Sequence, residues 1–361
     1  MKIVFIGLTI SSSWGNGHAT TYRGLLRELA AMGHEVYFLE PDRPWYSSTR
    51  DFDRADDYRL EFFDSTDTLK RDFKALIQLA DMVIVGSFVP DGIAVCHWVL
   101  QTAQGMTAFY DIDTPVTLHK LDEGNAEYID LSLIPQFDMY LSFSGGKVLR
   151  ILEKKYKAKK ARALYCSVDP EHYYPMELEK DWLLGYLGTY SDDRQATLQN
   201  LLITPSLKMH WERFVVAGPG YPEEISWPEN VERIDHLAPH LHREFYNRQK
   251  FTLNVTRQAM IRLGYSPSVR LFEAAACGVP IISDYWEGLS DLLEPGKEVY
   301  IARGGNDMEA ILLDTTMEER KAVGEAARRK VMNSHTSAHR ALELISYYQD
   351  EKKDLVRNRV S

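Results

Sequence analysis

Short apolar runs and amphipathic segments alternate along almost the whole chain. The runs "KIVFIGL" (residues 2–8), "EVYFL" (35–39), "MVIVGS" (82–87), "MTAFYDI" (106–112) and "MYLSFS" (139–144) have strand length and are rich in β-branched and aromatic residues. Between the first two, "TTYRGLLRELAAMG" spaces its apolar positions helically and ends at Gly33, a helix stop. Strands that alternate with helices make a parallel sheet covered on both faces. The rhythm breaks around residues 160–181, where a short strand, "ARALYCS", is followed by "VDPEHYYPMELEKD", with two prolines, acidic charge and no helical period. That composition predicts a linker. Alternation then resumes with "WLLGYLG", a helix over "DDRQATLQNLL", then "ERFVVAG", "VERID", "HREFYNR", "FTLNV", a helix over "SVRLFEAAACG", "PIISD" and a helix over residues 317–333. The final segment, "SAHRALELISYYQDEKK", is amphipathic and stands outside the second pattern. Two successive α/β units predict two Rossmann-like domains with ligand sites at the carboxyl ends of their strands.

Charge and cysteine content narrow the function classes. The 361 residues carry a formal net charge of −10, which gives the chain as a whole no electrostatic attraction for nucleic acid or an anionic membrane. Any phosphate binding must be local. Cys96, Cys166 and Cys277 lie far apart with no C-x-x-C, which argues against a disulfide framework or zinc site and for a reducing, cytoplasmic setting. The opening "MKIVFIGLTI" has one basic residue and runs into Ser11–Ser13, so it reads as a buried strand rather than a signal peptide. No run approaches the roughly 18–20 apolar residues that a spanning helix needs.

The stretch from Asn254 to Val299 concentrates candidate chemistry. A strand ends in Thr256 and Arg257, a Gly-Tyr-Ser-Pro-Ser loop follows, and Ser268 is placed to cap a helix starting at Val269. Free N–H groups at a helix start attract phosphate, and Arg257 and Arg270 supply positive charge beside them. One turn further, Glu273 sits among small residues, where a carboxylate accepts both hydroxyls of a ribose. The alternative is an ordinary cap followed by an Arg270–Glu273 surface ion pair at i,i+3 spacing. Near the amino terminus, Gly15, Asn16 and Gly17 suit an unusual backbone path between the first strand and the first helix. Without G-x-G-x-x-G and a following acidic ribose anchor, that loop is a poor dinucleotide site. Asp111 and Asp113 share one face at the end of a strand, set either to orient or deprotonate an acceptor or to cap the turn that follows, with a metal the poorer account of the Asp-x-Asp. His236, His240 and His242 have ligand-like spacing, but a proline intervenes and no acidic partner fits, so no metal site is expected. Trp14, Trp45 and Tyr46 are either buried or available to stack on a sugar.

"SPSVRLFEAAACGVPIISD", Ser266 to Asp284, resembles the nucleotide-sugar signature of the GT-B glycosyltransferases, and the chain as a whole is similar to their CgeB-like branch. "SSWGNGHATTYR", "FYDIDTPVT", "YLGTYSDDRQ", "FVVAG" and "NVTR" extend the likeness. The resemblance implies an α/β, GT-B fold: two Rossmann-like domains facing across a cleft. Residues 1–168 would hold the acceptor, 169–335 the nucleotide-sugar donor, and 336–361 a helix crossing back to the first domain. The implied activity is hexosyl transfer from a UDP- or dTDP-type sugar to an unidentified acceptor, with no metal and no resident cofactor. A sugar-nucleotide epimerase of the same fold, or a non-catalytic assembly or coat protein that retains it, is the alternative.

Carried over by position, Glu273 matches the second glutamate of an E-x7-E pair, which holds the ribose, while Tyr265 stands where the first belongs. Ser266, Ser268, Val269 and Arg270 fall in the signature itself. Thr189 and Arg194 fall where the group meets the diphosphate, and "RIDHLAPH" places His236 and Leu237 near the nucleobase. In the first domain the resemblance sets the amides of Gly15, Asn16 and Gly17 against the diphosphate. His18 follows as a general base or phosphate contact, and Asp111 and Asp113 as groups that orient or deprotonate the acceptor.

Overall fold

The computed structural model describes residues 1–14, 17–52 and 54–360, with the side chains of the last helix described as far as Asp354. The chain forms two compact units, Met1–Cys166 together with Ser337–Ser361, and Ser167–Thr336.

Unit 1 is built on seven strands: β1 (Lys2–Ile6), β2 (Glu35–Pro41), β3 (Arg59–Phe63), β4 (Met82–Gly86), β5 (Met106–Asp111), β6 (Met139–Ser142) and β7 (Ala161–Ala163). All pair in parallel, in the order β3-β2-β1-β4-β5-β6-β7. The inner strands β4, β5 and β6 are buried at every position, as a sheet covered by helices on both faces requires. The edge strand β3, "RLEFF", is buried only at Phe63. The helix Ala19–Ala31 stops where Gly33 takes φ +82 and donates its N–H to the Ala30 carbonyl at 2.8 Å. Against it packs the last helix, Ser337–Val360. That helix is pinned by Tyr347, which donates to the Ala163 carbonyl at 2.9 Å, and by the Arg162–Glu351 pair at 3.4 Å.

Unit 2 repeats the plan with six parallel strands: β8 (Trp182–Leu187), β9 (Phe214–Ala217), β10 (Val231–Ile234), β11 (Gln249–Asn254), β12 (Ile281–Ser283) and β13 (Tyr300–Ile301). Their order is β10-β9-β8-β11-β12-β13. Leu184, Leu198, Leu202, Phe214, Phe251 and Ile282 centre its core. The segment 168–181 has no regular structure, yet it is strapped to this unit. The Met176 N–H donates to Asn247 Oδ1 at 2.8 Å, Asn247 Nδ2 donates to the Tyr174 carbonyl at 3.1 Å, and Tyr173 is buried.

Candidate functional site

In unit 2 the strand order reverses between β8 and β11, and an open α/β sheet takes its ligand at the carboxyl ends flanking such a reversal. Asn254, the last residue of β11, organises this point. Its Oδ1 accepts from Ser268 Oγ at 2.7 Å and Arg270 Nη1 at 2.8 Å, and its Nδ2 donates to Ser283 Oγ at 2.9 Å and Thr256 Oγ1 at 3.2 Å. Arg270, only 7% exposed, also donates from Nε to the Leu187 carbonyl at 2.7 Å and lies 4.7 Å over the Tyr186 ring. Its charge is thus fixed against both strands of the reversal. Arg270 is tied to Leu187 and Asn254 and Glu273 to Tyr246, so the alternative of a surface ion pair is overturned.

Ser268 does occupy the N-cap position of the helix Val269–Ala276, but its side chain makes no capping bond. The expectation of a hydroxyl cap is corrected, because Asn254 Oδ1 captures the Ser268 hydroxyl. The first-turn amides of Val269 and Arg270 are therefore not consumed by it. Ser266 is buried and donates to the Gly264 carbonyl at 2.9 Å. Beside it Tyr265 holds φ +53, unusual for a non-glycine residue, and its N–H donates to the Glu287 carbonyl at 2.6 Å. A Cβ at Gly288, itself at φ +96, would meet the Tyr265 ring at 2.5 Å, so the glycine makes room for the tyrosine. Asp284 accepts from the Thr256 N–H at 2.9 Å and Oγ1 at 2.7 Å. Burial lifts its carboxyl above the usual range, while Thr256 and the Arg270 charge pull it back.

The flanking loops add cations. Arg257 is the N-cap residue of the helix Gln258–Leu263, and Arg194 donates to the Thr189 carbonyl. Between them, Asp193 accepts from the Ser191 hydroxyl and from the Gln258 N–H at 2.8 Å. Burial works against its charge, but these donors and the charges of Arg257 and Arg194 hold the carboxyl below its ordinary value. Sequence reasoning passed over Arg233. Its guanidinium lies 4.2 Å from the Tyr221 ring centre and 4.7 Å from that of Trp227, and Nη2 donates to the Gly218 carbonyl at 3.1 Å.

Glu273, 3% exposed, accepts from Tyr246 at 3.0 Å and lies 3.9 Å from His242 Nδ1. Burial and then the Glu273 charge push the Tyr173 and Tyr246 hydroxyls well above their usual range. Tyr173 also reaches His242 Nδ1 at 3.3 Å, and His242 Nε2 lies 3.1 Å from the Leu237 carbonyl. Since a carbonyl only accepts, Nε2 carries a proton. A chain of polar contacts thus joins the carboxylate to half-buried Leu237, while His236 is exposed. His242 serves this network, the one member of the histidine triplet drawn into it.

In unit 1 the strand order reverses between β1 and β4. Gly15 and Asn16 lie outside the described residues. Ahead of them the chain is clamped by Glu40, fully buried at the end of β2. Its carboxylate accepts from Thr9 Oγ1 at 2.7 Å, the Ile10 N–H at 2.7 Å, the Ser11 N–H at 2.9 Å and the Ser11 hydroxyl. An acid ending an apolar strand was the overlooked signal. Gly17 is exposed, and half-buried His18 stands at the start of the helix Ala19–Ala31 with its ring edge-on to Phe143 at 5.3 Å. Trp14 and Trp45 are 45% and 55% exposed, Tyr46 less so.

The two aspartates separate in role. Asp111 is fully buried. Its Oδ2 accepts from Tyr140 at 2.6 Å, and its Oδ1 accepts from Thr117 at 2.8 Å and from the Asp113 N–H at 3.2 Å. The expectation that Asp111 meets an acceptor is corrected: a carboxylate enclosed by protein donors anchors the turn after β5. Asp113, 6% exposed, starts the helix Thr114–Asp122.

Residues 194–346 match the sequence model of a family described as glycosyl transferase-like. No curated protein matches the chain. Among solved structures, it resembles sucrose-phosphate synthase from Thermosynechococcus elongatus (TM-score 0.68, 12% identity, 97% of this chain and 99% of the other). It also resembles HepE from Anabaena in complex with UDP and glucose (0.69, 11%, 97% and 100%) and an α-glucosyltransferase in complex with UDP (0.70, 13%, 97% and 100%). The fold is that of the GT-B glycosyltransferases, with a glycosyl transferase-like segment covering most of unit 2. No described helix is long and apolar enough to cross a membrane.

Proposed function

We propose that this chain transfers a hexosyl group from a nucleoside diphosphate sugar, of UDP or dTDP type, to an acceptor hydroxyl. One observation carries the reading. Arg270 is locked at the strand-order reversal beside the open amides of its own helix, with the Glu273 carboxylate one turn further on. That sequence of groups suits a diphosphate followed by a ribose. The UDP-bound HepE and α-glucosyltransferase structures support the choice of ligand class.

In this reading the departing diphosphate gains charge in an oxocarbenium-like transition state. Arg270, Arg194, Arg257 and the Val269 amide offset that charge from fixed positions, which is why positioning and electrostatics dominate the rate. The transfer is metal-independent, the arginines taking the part of a divalent ion. Thr189 and Ser266 shape the phosphate loops, and Leu237 and His236 border the base. In unit 1, His18 takes the proton of the acceptor hydroxyl and Asp113 orients the acceptor, while Gly15, Asn16 and Gly17 are assigned to the donor's diphosphate. We place the enzyme in the CgeB-like branch and in the cytoplasm, where its three buried cysteines suit a reducing medium.

A thermal-shift panel of nucleoside diphosphates and their sugars tests the reading. We expect stabilisation by a uridine or thymidine diphosphate and slow release of free nucleotide from the matching sugar, unaffected by a chelator. No shift with any nucleotide would favour a non-catalytic GT-B protein. Conversion of the sugar without nucleotide release would favour an epimerase.

Glu273→Gln is expected to weaken nucleoside diphosphate binding about tenfold while Tyr246 keeps an acceptor. Calorimetric titration of the variant checks it, and unchanged affinity would remove the carboxylate from the ribose site.

A further inference from the structure

Tyr186, on β8, is 1% exposed, and its hydroxyl is buried with no hydrogen-bond partner among the described residues. Phenylalanine would fill the same space without the cost of dehydrating an O–H, so the hydroxyl requires a reason. Its position supplies one. Gly188 is the first residue past β8, at the strand-order reversal, and a Cβ there would lie 2.6 Å from Tyr186 Oη and 2.9 Å from Arg270 Nη2. Only a glycine leaves open the space that this hydroxyl and this guanidinium both border.

The Arg270 guanidinium lies 4.7 Å over the Tyr186 ring, so the two donors are held together. The loop after β8 carries further polar side chains. Tyr221 donates to the Gly188 carbonyl at 3.1 Å and meets the Tyr190 ring edge-to-face at 5.4 Å. Arg194 is moored to the same loop through Thr189, and its Nε is also buried without a partner among the described residues.

We infer that Tyr186 Oη donates a hydrogen bond to a phosphoryl oxygen of the donor's diphosphate, side by side with Arg270 Nη2. The inference rests on the glycosyl-transfer reading and adds a phosphate-binding residue to it. It also explains why an apolar strand carries a hydroxyl that the described residues leave without a hydrogen bond.

The test is Tyr186→Phe in the full chain, titrated beside the wild type with UDP, dTDP, GDP and ADP. An isosteric loss of one oxygen leaves the fold intact. We expect the ligand-free melting temperature to stay the same or rise, and the dissociation constant of the tightest-binding diphosphate to rise about tenfold. That pair of opposite effects marks a hydroxyl kept for a ligand. A wild-type chain that binds a diphosphate no more tightly than the variant does would overturn the inference and leave the glycosyl-transfer reading standing. A lowered melting temperature with unchanged affinity would do the same, by revealing a structural bond. If the wild type binds none of the four, both fall together.

Discussion

Replacing Arg270 with alanine is expected to lower kcat/KM for the nucleotide-sugar donor by about 10²–10³-fold, most of it in kcat. The side chain is bonded to both strands of the unit 2 reversal, through the Leu187 carbonyl and Asn254 Oδ1. A charge held in place before the reaction needs no reorganisation as the diphosphate departs, and it acts most strongly where water is excluded. Alanine also leaves Asn254 Oδ1 with Ser268 alone, so some structural loss accompanies the chemical one. Arg270→Lys separates them: lysine restores the charge but not the two directed bonds. Partial recovery of kcat in the lysine variant would assign the effect to charge. Equal loss in binding and turnover for both variants would assign it to the frame.

Asp111→Ala is expected to destabilise unit 1 by about 3 kcal/mol, because Tyr140, Thr117 and the Asp113 N–H all lose their acceptor in a dry interior. Asp111→Asn keeps an acceptor for Thr117 and removes the charge, so its cost should be much smaller. The two proteins should also differ with pH. Burial raises the Asp111 carboxyl above its ordinary value, and the bonds from Tyr140 and Thr117 only partly counter that. A raised folded-state value means that the contribution is fully present below the unfolded value of about 4 and is lost as pH rises through the folded value. The stability of the wild type relative to Asp111→Asn should therefore fall across that interval. Urea midpoints of the two proteins between pH 4 and 7 measure it, and parallel curves would show that Asp111 does not titrate in the folded chain.

The parts of this molecule that could be read from sequence were those encoded locally. Apolar runs marked β1, β2, β4, β5, β6, β8, β9 and β11 because buried parallel strands are continuously apolar. The edge strand β3 escaped, since "RLEFF" alternates with charge and borders only one neighbour, and β13 is two residues long. Segment 168–181 looked like a tether because its prolines and acids hide Tyr173 and the bonds through Asn247 that bind it to unit 2.

At the site, Ser268, Arg270 and Glu273 were visible because helical spacing sets them on neighbouring turns. Their partners were not. Arg270 reaches Leu187 across 83 positions of sequence, and Asp111 meets Tyr140 across 29. Periodicity carries nothing over such separations. Hence a paired Arg270 and Glu273 was a fair local alternative, and Asp111 was assigned to an acceptor. His242 offers the reverse lesson: its spacing suggested a ligand set, while the fold uses it between Glu273 and Leu237.

In the proposed reading the opening turn of the helix Val269–Ala276 receives the donor's pyrophosphate. A crystal structure of the chain with UDP tests it most directly. Phosphoryl oxygens are expected within hydrogen-bond distance of the Val269 amide and Arg270 Nη2, with the ribose hydroxyls turned to Glu273. A nucleotide lodged elsewhere, with that turn unoccupied, would contradict it.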